Sequence, residues 1–370
     1  MKAACVLALC LIGLINQAVW GAQAKRELHF PDTSIGALYL VPSDAPCGEA
    51  ALGRSIAEGN AQSTRFVAVP SNGRLMLQVN RNFLELLKTH KPINLDGIDT
   101  LKINISQGEV GGGDCDQVLC LVTHLKGIEK LRYLDLDQSD ASDKGLSDVA
   151  VMRGLETISM TESNIKGACF KEFSKLPKLR SLNFERASAP DKNYELLAKI
   201  PNLESLSVRW STIGTHQFEI FTHCKKMRYL NLSKNGKIDN DSLKNLAKMP
   251  QLLQLSVEET SVSDAGLAYL SNCPQLEDLN LRGTQVSDKG MKHLLCLKKL
   301  RIIGLEKTKV TPTGLSSLKS LPLKKISVPN ASMSRNQFAL LHKQFPQAKL
   351  AVPFVEEKES DLNAIFSPSH

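Results

Sequence analysis

Aromatic residues are scarce in this 370-residue chain: they make up 5% of it, and Trp20 and Trp210 are its two tryptophans. A core with so few rings must rest on aliphatic side chains. Catalytic patterns are lacking too. H-E-x-x-H, G-x-S-x-G and C-x-x-C do not occur, and the eight histidines are scattered, so an enzyme reading has no constellation behind it. His216, His223 and Cys224 are near in sequence, but the two histidines fall at opposite ends of one short helical stretch. No Lys/Arg run exceeds three residues and the net charge is a mild +8, so nucleic-acid binding is not expected. After the N-terminal stretch there is no second long apolar run, and no membrane span is expected in the mature chain.

What is present begins with a secretory signal over residues 1–24. Lys2 supplies the positive end, Ala3 to Val19 the apolar core, and Ala22-Gln23-Ala24 a small-x-small cleavage site. The protein is therefore expected to be secreted, extracellular or periplasmic. Residues 25–97 then form a β-rich block, with strand-like runs at 37–41, 66–69 and 75–79 punctuated by Pro42, Pro46, Gly48, Pro70 and Gly73, and a helical stretch at 83–90.

From residue 98 to 352 the chain repeats itself. Units open at Leu131, Leu155, Leu179, Leu203, Met227, Leu252, Leu276, Leu300 and Leu323, at steps of 24, 24, 24, 24, 25, 24, 24 and 23 residues. In Leu276 to Lys299, Leu279 and Leu281 alternate with polar neighbours as in a half-buried strand. Gly283-Thr284 turns the chain, and Ser287 is placed to cap a short helix with Met291, Leu294 and Leu295 inward. One strand and one short helix cannot bury their own apolar faces, so the units must stack as a solenoid. The β-rich block is then expected to cover the open end of the first unit.

At L-x-x-L-x-L the chain resembles the leucine-rich-repeat family over about two-thirds of its length. The V-S-D-x-G-L runs at 262–267 and 286–291, the latter ending in Met, and the related V-T-P-T-G-L at 310–315 look like the bacterial and cysteine-containing repeat subclasses. The segment F-P-D-T-S-I-G-A-L-Y at 30–39 looks like the lead-in of some secreted bacterial repeat proteins. The resemblance implies an α/β horseshoe: a parallel concave sheet, convex helices, a small N-terminal β-rich cap and a tail at 353–370. Where the family often has Asn or Cys at the ninth place, this chain has mostly Ser and Thr, with Asn235 in one repeat. Such hydroxyls can satisfy turn backbone groups as the Asn does.

The loop GEVGGGDCD at 108–116 lacks Gly-Lys-Ser/Thr and G-x-G-x-x-G spacing. Asp114 or Asp116 is expected to cap a helix at 117–126 rather than ligate a metal. An enzyme using Asp114, Asp116 and His124 is the weaker alternative. Cys115 and Cys120 are a possible disulfide, while Cys224, Cys273 and Cys296 are expected to be buried and reduced; no metal or cofactor is expected.

Second-place residues of the units alternate in sign over Arg132, Glu156, Arg180, Glu204 and Arg228, so neighbours should pair. The fifth place is small throughout, leaving a shallow groove. In the eighth row Trp210 stands between Arg186 and Lys234, with Arg209 beside it and Tyr229 on the next strand. These five residues are the expected contact for a partner, because Trp, Tyr and Arg dominate interface energetics; the alternative, which the sequence favours slightly, is that Arg186 or Lys234 merely stacks on the indole as an internal cation–π contact. The expected function is a secreted, non-enzymatic recognition protein binding a protein or peptide, with a passive envelope scaffold as the alternative.

Overall fold

A computed structural model describes residues 23–29, 36–42, 54–57, 64–70, 73–89, 93–105, 114–328 and 335–351. Most of the signal segment, the first part of the 30–39 lead-in, Cys47, the glycines at 108–113, and the tail lie outside the described residues. The chain divides into two compact units, Met1–Leu203 and Glu204–His370.

In the first unit, β1 (Gln23–His29) runs antiparallel to β4 (Thr64–Pro70). Strand β2 (Gly36–Pro42) pairs antiparallel with both β3 (Arg54–Ala57) and β5 (Gly73–Val79). The expected runs are thus β2, β4 and β5, while β1 and β3 are additions. Gln23–His29 reads QAKRELH and has no apolar alternation to reveal a strand. A helix at Arg81–Lys88 is capped by Asn80, whose side chain accepts from the Phe83 N–H, and it buries Phe83, Leu84, Leu86 and Leu87.

Strand β5 then pairs in parallel with β6 (Thr100–Ile103), so the N-terminal block continues directly into the repeats. The ladder stays parallel through β7 (Tyr133–Asp135), β8 (Thr157–Ser159) and β9 (Ser181–Asn183), with Leu101, Leu134, Ile158 and Leu182 in one register. All four are essentially buried.

The second unit is parallel from β10 (Ser205–Ser207) through β11 (Tyr229–Asn231), β12 (Gln254–Ser256), β13 (Asp278–Asn280), β14 (Ile302–Gly304) and β15 (Lys325–Ser327) to β16 (Lys349–Ala351). Leu206, Leu230, Leu255, Leu279, Ile303 and Ile326 stack in register, and the sixth-place Val208, Leu232, Val257, Leu281, Leu305 and Val328 form a second buried row. Each such side chain contributes about 1.5–3 kcal/mol by burial. The strands thus contribute aliphatic columns to the core, and in the first unit a cluster of buried rings packs with them: Phe170 lies 5.6 Å from Phe173 and 5.2 Å from Phe184, and Phe184 lies 6.3 Å from Tyr194.

The returns between strands carry the expected short helices, some of them α-helical, as at Thr215–Phe221 and Pro312–Ser316, and others 3-10. Asp288–Cys296 is a 3-10 helix, capped by Ser287. Three residues per turn aligns Met291, Leu294 and Leu297 on one line, and these three are buried, while Leu295 is half-exposed. Cys296 falls off that line and is exposed, contrary to the expectation that it is buried. Cys224 and Cys273, each three residues before the next unit's first apolar residue, occupy the slot that Leu297 fills here and are buried.

Polar bonds close the turn within each unit and also join one unit to the next. At the ninth place the hydroxyls of Ser139, Ser163, Thr260, Thr284 and Thr308 donate to carbonyls three residues earlier, at 2.6–2.8 Å, as expected for a hydroxyl ladder. A second ladder uses the V-S-D-x-G motif. Asp264 accepts from both the N–H and hydroxyl of Ser287, at 2.7 and 2.6 Å, and Asp288 does the same for Thr311 at the same distances. Asn240 serves Ser263 and the Gly266 N–H. The motif's glycine is where this acceptor arrives: a Cβ on Gly266 would stand 2.6 Å from Asn240 Oδ1, and one on Gly290 would collide with Asp264 Oδ1.

Candidate functional site

Eighth-place residues sit where each strand turns away, and all of those described adopt the left-handed region. Gln138, Glu162, Arg186, Trp210, Lys234, Glu259 and Lys307 have φ of 50–59°, and Gly283 has 68°. The backbone N–H of Trp210 donates to Ser233 O, as that of Lys234 does to Glu258 O, so the turn is held by the neighbouring unit. This conformation costs an L-residue roughly 1–2 kcal/mol, and a bulky residue is rare there.

The Trp210 turn carries a second such residue, the β-branched Thr212 at φ 55°. Asn235, 1% exposed, braces it. Its Oδ1 accepts from the N–H groups of Ser211 and Ile213 at 2.9 and 3.0 Å, and its Nδ2 donates to the carbonyls of Val208, Leu232 and Ser233. A strained backbone persists where its surroundings over-determine it, and here that bracing presents an indole that remains 49% exposed. Lys234 Nζ lies 4.8 Å and Arg209 Cζ 5.9 Å from the ring centroid. Tyr229 on β11 is 40% exposed. Trp210, Arg209 and Lys234 are thus together. Arg186 belongs to the first unit, where its guanidinium is engaged by Glu162.

A groove of about 420 Å³ crosses the exposed face of β10 to β15. Its floor is the small fifth row, Ser207, Asn231, Ser256, Asn280, Gly304 and Ser327, and Arg209 and Tyr229 line it. Seventh-row charges are largely compensated: Arg282 meets Glu258 at 2.5 Å and Glu259 and Glu306 at 3.4 Å. Asp278 differs. Burial pushes its carboxyl above the usual range, and Lys325 offsets this only in part. Its place in the third row was readable from the repeat, but its loss of solvent depends on neighbours that spacing does not reveal.

In the first unit, the expected charge alternation is realised as a double contact of Arg132 with Glu156, at 2.9 and 3.0 Å. Deeper on the face, Lys102 bonds Asp135 at 3.2 Å, and Asp137 accepts from the Ser159 hydroxyl and Thr161 N–H. Burial, then the Asp135 charge, raise the Asp137 carboxyl.

The cysteine and loop expectations need correction. A helix begins at Asp114 and runs to Val122, so Asp114 and Asp116 lie in its first turn rather than capping a later one. Asp116 bonds the N–H and hydroxyl of Ser142 in the following unit, and Asp114 lies 3.8 Å from Arg81. Cys115 and Cys120 are both free. Five residues apart on one helix, they point about 140° from each other, which is why Cys115 is buried and Cys120 half-exposed. Burial raises the Cys115, Cys224 and Cys273 thiols to about 12. Among the described residues no group of three or more His, Cys, Asp or Glu is placed to hold a metal, and no helix is long and apolar enough to cross a membrane. Short Lys/Arg runs do not carry the exclusion of nucleic acid: Lys225, Lys298, Lys299, Lys319 and Lys324 are exposed in the second unit.

Residues 223–247 and 272–295 match the family described as Leucine Rich repeat. Similar solved structures include internalin inlF of Listeria monocytogenes, with 16% identity, 76% of this chain and 87% of that one covered, and a TM-score of 0.43. Internalin C2 of the same organism matches at 19% identity over 59% of this chain and 84% of that one, with a TM-score of 0.41. A TLR13–ssRNA13 complex matches at 18% identity, 75% and 45% coverage, and a TM-score of 0.47. No curated protein matches the chain.

Proposed function

This chain is a leucine-rich-repeat protein, and from that premise we propose that it is a secreted, non-enzymatic recognition protein that binds a protein or peptide on the exposed face of its strands. The contact centre is Trp210 with Arg209, Tyr229 and Lys234, at the groove of the second unit. The observation that carries this reading is the Trp210 turn. The left-handed eighth place is common to the row, but here a second left-handed residue, Thr212, follows Ser211, a buried five-bond asparagine holds the turn, and the side chain displayed is a large aromatic half in solvent. Packing needs no such display. Secretion rests on the signal-like residues 1–24, and the non-enzymatic reading on the structural use of Asp116 in bonding Ser142.

The test starts from the chain beginning at Lys25, used to capture partners from culture fluid and cell envelope of the source organism. Binding of the captured partner is then measured for the wild type, Trp210→Ala and Gly304→Phe, which fills the groove floor. Loss of an aromatic anchor costs about 2 kcal/mol or more of binding, or about 30-fold in affinity, with melting nearly intact. The internal Lys234 contact contributes only about 0.5–1 kcal/mol to stability. Undiminished affinity in both variants refutes the proposal.

A further inference from the structure

Among the charged residues lining the groove, Asp278 stands apart. Its backbone N–H bonds Leu253 O, but among the described residues its carboxylate makes no hydrogen bond and no ion pair. Other acids on this face are engaged: Glu258, Glu259 and Glu306 share Arg282, and Glu277 lies 3.7 Å from Arg301. In the third row Asp278 is flanked by Gln254 on β12 and Ile302 on β14, with Lys325 one strand further on β15.

The space beside it is kept open. Gly304 lies on the floor next to Asn280, and a Cβ there would stand 2.7 Å from Asn280 Oδ1. Asn280 is itself fixed, with Nδ2 donating to Glu258 and Oδ1 accepting from the Arg282 N–H. Asn280 therefore cannot swing over to serve Asp278 without giving up both bonds.

We propose that the groove takes a basic side chain, lysine or arginine, of the bound protein segment, with Asp278 as its counter-ion and Ile302 against its aliphatic stem. The inference rests on the strand face being the partner-binding surface, and it can fail while that reading stands. A long cationic side chain buries its methylenes on apolar surface while its head stays polar, which is the pairing that Ile302 and Asp278 offer side by side. A carboxylate without a partner in a partly desolvated position gains more from an incoming cation than one in open water. The raised Asp278 carboxyl agrees with this, since burial outweighs the pull of Lys325. The charged groups around the groove are Arg209, Glu258, Arg282, Glu306 and Lys325. Of these, Lys325 is the one that acts on Asp278.

The test uses the chain beginning at Lys25, isotope-labelled, and four blocked tripeptides, Gly-Arg-Gly, Gly-Lys-Gly, Gly-Gln-Gly and Gly-Glu-Gly. The Asp278 carboxyl carbon and the amides of 278–280 and 302–304 are followed by NMR. The arginine and lysine probes are expected to shift these signals saturably and to lower the carboxyl's titration midpoint, and the other two are not. Asp278→Asn should weaken the response about tenfold or more. Lys325→Gln removes a competing cation and should strengthen it a few-fold, a gain that a merely structural Asp278 does not predict. Absence of a saturable shift with both basic probes, an equal response to the glutamine probe, or an unchanged response in Asp278→Asn overturns the proposal. If Trp210→Ala abolishes partner binding while the basic probes leave Asp278 untouched, the binding surface stands and its cationic preference falls.

Discussion

Removing the Asn235 side chain should damage this protein more than removing any of its ninth-place hydroxyls. In Asn235→Ala, the N–H groups of Ser211 and Ile213 lose their acceptor, and three carbonyls lose a donor. Buried unsatisfied groups cost about 1–3 kcal/mol each. The two N–H groups alone come to about 3 kcal/mol, with less from the carbonyls, which keep a second lone pair. Thr284→Ala is the internal control: it removes one bond, to Leu281 O at 2.6 Å, and should cost about 1 kcal/mol. The gap of about 2 kcal/mol is measurable by urea unfolding followed by circular dichroism. Trp210 supplies a local readout, because it is the sole tryptophan of a chain beginning at Lys25. Its emission and iodide quenching should change in Asn235→Ala before global unfolding and stay constant in Thr284→Ala. A difference between the two variants below about 0.5 kcal/mol, within ordinary non-additivity, would show that Asn235 does not brace the turn.

Three further outcomes are expected. Native thiol labelling should modify Cys296 and Cys120 but leave Cys115, Cys169, Cys224 and Cys273 untouched until denaturant is added; rapid reaction of any of these four contradicts the core register. Gly290→Ala should destabilise about as much as Asp264→Ala, because the new Cβ occupies the position of the Asp264 oxygen. Combining them should add little, and full additivity in thermal melts counts against the ladder. Asp137→Asn keeps an oxygen for Ser159 and Thr161 while removing a charge that burial and Asp135 disfavour. A carboxyl raised in the folded state contributes stability below its unfolded value near 3.9 and loses it as pH rises through the folded value. The melting temperature of Asp137→Asn should therefore rise relative to wild type as the pH is raised above about 4, and a pH-independent difference refutes the assignment.

The repeat frame was legible because every unit must bury the same columns, so Leu279 and Leu281 announce both a strand and its inward face. What spacing could not show was the hydrogen-bonding pattern of the return segments. Reading Asp288–Cys296 with an α-helical period put Leu295 inward and Cys296 under the helix end, whereas a 3-10 period selects Leu297. Likewise Asp116 looked like a helix cap because short polar residues before an apolar run usually are. Its use by Ser142, 26 residues on, is a contact between units that no local pattern contains. Trp210 was conspicuous as a lone ring. Its left-handed backbone is shared by the whole eighth row, but the second left-handed residue, Thr212, and the bracing of this turn by Asn235, one unit later, became visible only in three dimensions.

The acid-to-hydroxyl ladder makes chain length an editable quantity. The bonds from Asp264 to Ser287 and from Asp288 to Thr311 have the same two distances, so the donor of either pair fits the acceptor of the other. A gene segment encoding 265–288 could be excised, and Asp264 would then stand where Asp288 stood, facing Thr311. Duplication of the same segment closes both seams in the same way. The series ends at Thr311-Pro312, where proline takes the acid's place and offers no carboxylate to a further copy. Slippage or recombination at this spacing would thus lengthen or shorten the exposed strand face without a newly designed junction, up to a terminus marked by one residue.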